Sequence, residues 1–179
     1  RVMRRLWRAV PPEHPFPTVA RWAAGLDRLR ARFHGSTGPL PQVLVEQAEG
    51  LFVDLLGSMA EPVLLHGDLH HQNIQSAQRE PWLAIDPKGV VGEPAYEVGA
   101  LLRNVAPRRP GSVIARRADL LAEELGFDRR RLLGWGLAQA VLAAWWCIED
   151  QMQGWEGFVR CAEIMDQVRR ERPSTRPLD

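Results

Sequence analysis

The sequence predicts an α+β domain, mostly α-helical, with a small β-hairpin that carries polar loops. Three observations predict it. Apolar residues recur at helical spacing over long stretches on both sides of the middle of the chain. Between Pro62 and Gly92 that texture gives way to short apolar runs, each feeding a polar loop. Finally, 179 residues, 45% apolar and 25% charged, suit one globular domain with a real core rather than a disordered chain or a coiled coil.

Each element follows from local chemistry. Residues 1–9 read as a short helix stopped by Pro11 and Pro12. A longer helix is expected over residues 18–33, with Thr18 as N-cap and Val19, Trp22, Ala23, Leu26, Leu29 and Phe33 as its apolar stripe. Gly35 ends it. A third spans about 42–59 and turns Leu44, Ala48, Leu51, Phe52, Leu55 and Leu56 to the core. Residues 63–65 and 82–85 are the strand-like runs, and residues 74–85 are long enough for a hairpin. Beyond Pro94 helices are expected over 94–104, 113–125, 129–150 and 155–170, with Gly126 stopping the second and Asp128 capping the third. Residues 132–148 are apolar on nearly every side. A membrane span needs about 20 such residues, so a buried central helix is the better reading. The tail, residues 172–179, reads as a frayed end.

Charge narrows the function classes. The 23 basic residues nearly balance 22 acidic ones, for a net +1, which argues against a nucleic-acid or membrane-surface binder. Every cation but Lys88 is arginine. Cys147 and Cys161 cannot supply a disulfide framework or a four-ligand zinc site, and read as buried thiols of a cytoplasmic protein. The opening residues run into prolines rather than an apolar stretch, so no secretory signal is expected.

The unusual chemistry lies between His66 and Glu97. His66-Gly67-Asp68-Leu69-His70-His71-Gln72-Asn73 holds three of the five histidines, Asp86-Pro87-Lys88-Gly89 follows, and Gly92-Glu93-Pro94-Ala95-Tyr96-Glu97 closes the stretch. One reading is phosphoryl transfer: a base for the attacking hydroxyl, and magnesium held by oxygen ligands against the phosphates. Asp68 supplies the base, while the Asn73 amide oxygen and the Asp86 carboxylate supply the few protein oxygens that magnesium prefers. The other reading is a zinc site on His66, Asp68, His70 and His71. Adjacent His70 and His71 would point to opposite faces of a strand, which counts against it.

The H-x-D-x-x-x-x-N pattern at 66–73, followed by Asp86, resembles the catalytic and metal loops of protein-kinase-like enzymes. HGDLHHQNI, WLAIDPKGVVGEPAYEVGALLRN and RRLWRAVPPEHPF resemble the aminoglycoside phosphotransferase family, in its streptomycin 6-kinase and hydroxyurea phosphotransferase branch. The resemblance implies a kinase-like C-terminal lobe filling residues 1–179, with ATP as phosphate donor and Mg2+ on Asn73 and Asp86. It makes Asp68 the catalytic base, leaves His66 to shape the loop, and puts Glu97, where the family commonly has aspartate, behind the loop as its anchor. Lys88, beside the metal loop, is a candidate to stabilise charge on the transferred phosphoryl group.

No glycine-rich loop and no strand lysine are found in this sequence, so a separate N-terminal nucleotide-binding lobe is expected, and the 179 residues alone should turn over little. A cationic aminoglycoside acceptor favours carboxylates and aromatic faces. Glu149, Asp150 and Glu156, with Trp145 near them, are the candidates; the plainer reading is helix-end charges over core tryptophans. Hydroxyurea, small and neutral, would not need these acids, and a non-catalytic binding module derived from a kinase lobe is the alternative from another class.

Overall fold

The computed structural model describes residues 2–104 and 110–171. The first expected helix is shorter than predicted: α1 covers Val2–Leu6, because Arg8 leaves it to form a β-bridge with Leu64. The predicted 18–33 helix is two, α2 (Val19–Ala23) and α3 (Gly25–Arg32). Thr18 caps α2 as expected, its Oγ1 accepting from the Arg21 N–H at 3.1 Å. The break falls where the chain presses on a neighbouring helix: a Cβ at Gly25 would lie 2.7 Å from Leu142 Cδ1. α4 (Gln42–Gly57) follows.

The strands carry the main departure from expectation. β2 (Ile74–Gln75) and β3 (Leu83–Ala84) pair antiparallel as the hairpin, Ile74 opposite Ala84. β1 (Val63–Leu65) does not stand alone: it pairs antiparallel with β4 (Val90–Gly92), Leu64 opposite Val91. The hairpin and both polar loops are thus enclosed between two paired strands. β4 is only three residues long, buried throughout, and shows no alternation to read. The N-terminal segment lies along this pair, through the Arg8–Leu64 and Thr18–Val91 bridges.

A 3-10 turn at Pro94–Glu97 leads into α5 (Val98–Arg103), so the predicted 94–104 helix is a turn and then a helix. α6 (Pro110–Leu125) opens on proline, which suits a first helical position whose N–H would be unsatisfied anyway. α7 (Arg129–Glu149) and α8 (Trp155–Arg170) complete the described chain; Asp128 caps α7 by accepting from the Arg131 N–H at 2.7 Å. The expectation of a frayed tail falls on residues outside the described ones.

α7 is the core of the domain. It is buried along most of its length and packs against α3, α4, α5, α6 and α8. Among the described residues it is one helix long and apolar enough to cross a membrane, yet 83% of its most apolar stretch is buried inside the protein. One polar cluster locks it to the loop before α5. Glu93, 2% exposed, accepts from Arg131 Nε at 2.6 Å and also from the Trp135 indole N–H. Arg131 also donates to the Leu55 and Ser58 carbonyls, tying down the end of α4.

Candidate active site

The 66–73 segment is held from behind by one carboxylate. Glu97, at the end of the 3-10 turn, accepts the His66 N–H on Oε2 at 2.7 Å and the Gly67 N–H on Oε1 at 3.0 Å. It is 1% exposed, and burial pushes its carboxyl up to about 7, against the backbone N–H groups of His66, Gly67 and Leu69, which act to lower it. Gly67 has φ +83°, and a Cβ there would lie 2.9 Å from Trp22 and 3.0 Å from Val90, so the loop closes only with glycine.

His66 is a structural organiser in this geometry. Its Nε2 is 2.8 Å from the Ile85 carbonyl, which can only accept, and its Nδ1 takes the Asp68 N–H at 3.3 Å. Together these specify the neutral tautomer with the proton on Nε2. The His66 carbonyl accepts from the Lys88 and Gly89 N–H groups at 2.8 and 3.1 Å. Asn73 completes the link, its carbonyl accepting the Ile85 N–H at 3.0 Å. The 66–73 and 86–89 loops are therefore joined through backbone bonds on both sides of Ile85.

Side chains with oxygen donors are left at this junction. Asn73 Nδ2 donates to the Asp68 carbonyl at 2.9 Å, which leaves its amide oxygen unused by that bond. Asp86, in the left-handed region at φ +57°, presents a carboxylate whose Oδ2 meets Lys88 Nζ at 2.8 Å. The Lys88 ammonium holds the Asp86 carboxyl below its ordinary value, and Lys88 is itself raised by Asp86. Two hard oxygen donors of this kind fit a cation that keeps several waters. The zinc reading loses its site: among the described residues no three His, Cys, Asp or Glu side chains gather as a metal would require.

Asp68 faces a cavity of about 370 Å3 walled also by His70, Arg103, Gly157, Phe158 and Cys161. Its Oδ1 receives Arg103 at 2.6 Å, and its Oδ2 lies 3.8 Å from His70 Nε2. Burial lowers the His70 pKa, with the positive Arg103 adding to that effect. Arg103 also lies over the Phe158 ring, 5.9 Å from its centroid. Sequence reading missed Arg103 among so many arginines. The available signal was that it is the sole charged residue in the apolar helix VGALLR.

The model of the aminoglycoside/hydroxyurea antibiotic resistance kinases matches residues 1–151. The chain belongs to that family. Within the antibiotic resistance kinases, it is 38% identical to a streptomycin 6-kinase of Streptomyces glaucescens over 63% of this chain and 38% of that protein. It is 45% identical to a hydroxyurea phosphotransferase of Kitasatospora aureofaciens over 49% of this chain and 25% of that protein. A streptomycin 3''-kinase of Klebsiella pneumoniae is 33% identical over 80% of this chain and 53% of that protein. The chain thus spans a quarter to about half the length of these kinases. No solved structure matches.

Glu149, Asp150 and Glu156, the acidic residues expected around an acceptor, are not among the described residues that wall the Asp68 cavity. Glu149 is held by Arg28 through two bonds of 2.7 and 2.8 Å. Trp145 is 1% exposed and meets Phe33 edge-on, so it belongs to the core. Asp150 follows the end of α7 and Glu156 sits in the first turn of α8, both exposed.

Proposed function

We propose that this chain is the kinase-like C-terminal lobe of a cytoplasmic phosphotransferase that moves the γ-phosphoryl group of ATP to a hydroxyl of a small-molecule antibiotic, streptomycin or a related aminoglycoside. The observation that carries the reading is the Glu97-held loop, which sets Asp68 at an open cavity while joining it to the loop that bears Asp86. In this reading Asp68 orients the acceptor hydroxyl and takes its proton. Asn73 and Asp86 would hold Mg2+, which supplies charge neutralisation to the phosphate oxygens. His66 keeps the two loops in register, and Lys88, paired with Asp86, brings a cation to their edge. The nucleotide's remaining contacts belong to a separate N-terminal lobe.

One observation favours a second acceptor. Asp68 is the only carboxylate among the described residues that wall the cavity, and a cationic guanidinium lies beside it. A small neutral acceptor such as hydroxyurea suits that wall better than a polycation. The test uses the full-length gene product with ATP and magnesium, offered streptomycin or hydroxyurea. Phosphorylated product from either, detected by mass and lost in Asp68→Ala, supports the reading. No product from either overturns it, and the identity of the product selects the acceptor.

A further inference from the structure

We propose that Arg103 is a positioning residue for Asp68: by holding Oδ1 it presents Oδ2 to the acceptor hydroxyl. This rests on the phosphotransferase reading. A free carboxylate turns about its Cβ–Cγ bond and offers either oxygen, whereas a base is effective only when one oxygen is held within reach of the proton. Arg103 removes that freedom. Its bond to Oδ1 is 2.6 Å, and both side chains are largely screened from solvent, at 15% and 23% exposure. Arg103 is itself confined. It ends α5, lies over the Phe158 ring, and its backbone carbonyl accepts from Cys161 Sγ at 3.4 Å, so α5 and α8 fix it from two sides.

The same helix begins directly after Glu97, which holds the backbone of the loop. The 97–103 segment therefore fixes the base twice, at the main chain and at the carboxylate. His70, on the Oδ2 side, is 3.8 Å away, beyond hydrogen-bond reach, so it does not hold Oδ2 as Arg103 holds Oδ1. In the step so arranged, the acceptor oxygen forms its bond to the γ-phosphorus as the bond to the ADP oxygen breaks. The hydroxyl proton passes to Asp68 Oδ2. Arg103 stays charged throughout and exchanges no proton.

A double-mutant cycle in the full-length protein tests this, using ATP and whichever acceptor wild type phosphorylates. Arg103→Met should lower kcat about 10- to 100-fold, the fold-change of one lost hydrogen bond to a charged group, with KM for ATP within about twofold. Arg103→Lys should restore most of the loss. In an Asp68→Ala background, Arg103→Met should change the residual rate by less than about twofold, because the carboxylate it orients is gone. An equal loss in both backgrounds means a merely structural role and overturns the proposal, as does an unimpaired single variant. If Arg103→Met does not fold, Arg103→Gln takes its place in the same cycle. An inactive wild type would instead overturn the phosphotransferase reading, a distinct outcome.

Discussion

Glu97 spans two consecutive residues of the 66–73 loop with one carboxylate, taking the His66 N–H on one oxygen and the Gly67 N–H on the other. A shorter aspartate would have to draw the turn inward to reach both. The glutamate instead reaches from a 3-10 turn that starts at Pro94, so the longer side chain and the tighter turn compensate each other.

This carboxylate makes stability fall as pH rises. Its folded value of about 7 lies above the ordinary 4.5, so between those values the folded state binds more protons than the unfolded one. Stability should therefore decline from pH 4.5 to 7 and flatten above, with a total on the order of 3 kcal/mol. Glu97→Gln should abolish that slope. Urea unfolding at a series of pH values measures both curves, and an unchanged slope in the variant would count against the assignment.

Arg131→Met should destabilise the domain by about 3–5 kcal/mol, because it strands the buried Glu93 without its cation. Glu93→Gln combined with Arg131→Met should recover part of the loss. Denaturant midpoints of the wild type, the single variant and the double variant check the order.

Gly67→Ala should cost about 1–3 kcal/mol, since φ +83° is unfavourable for alanine and the new methyl would meet Trp22 and Val90. Thermal unfolding gives the stability. Amide exchange at Asp68 and Leu69 should rise in the same variant as the loop moves away from Glu97.

Glu149→Ala should change stability by no more than about 1 kcal/mol, although it removes a two-bond ion pair. Arg28 and Glu149 are 53% and 30% exposed, so water already screens them. Calorimetry of the variant at low and high salt checks it; a larger, salt-independent loss would show that the pair matters more than its exposure suggests.

The helices on either side of the site were legible because their apolar residues repeat with the helical period, and α7 announced its burial by lacking a polar face. The break at Ala24 was not legible. It falls beside the close approach of Gly25 to Leu142, a contact 117 positions away in sequence that no local pattern encodes. β4 was missed for a related reason: Val90, Val91 and Gly92 become a strand only by lying against β1. At the candidate site, Asp68, Asn73 and Asp86 stood out by spacing, and Glu97 by its place in the family motif. Arg103 did not, because its meaning depends on the rotation of α5 toward the loop. The acidic cluster at 149–156 was local in sequence, but Arg28, from a distant helix, takes up one of its members.

The pairing of β1 with β4 around the hairpin has an evolutionary consequence. Both loops are secured at their strand ends and at His66, whereas the hairpin tip at 76–82 lies beyond these bonds. Insertions or deletions at the tip can therefore accumulate without altering the distance between Asp68 and Asp86. Relatives are expected to vary in length there while the two loops stay in step, and the tip is the natural place to graft a tag or a fluorescent reporter.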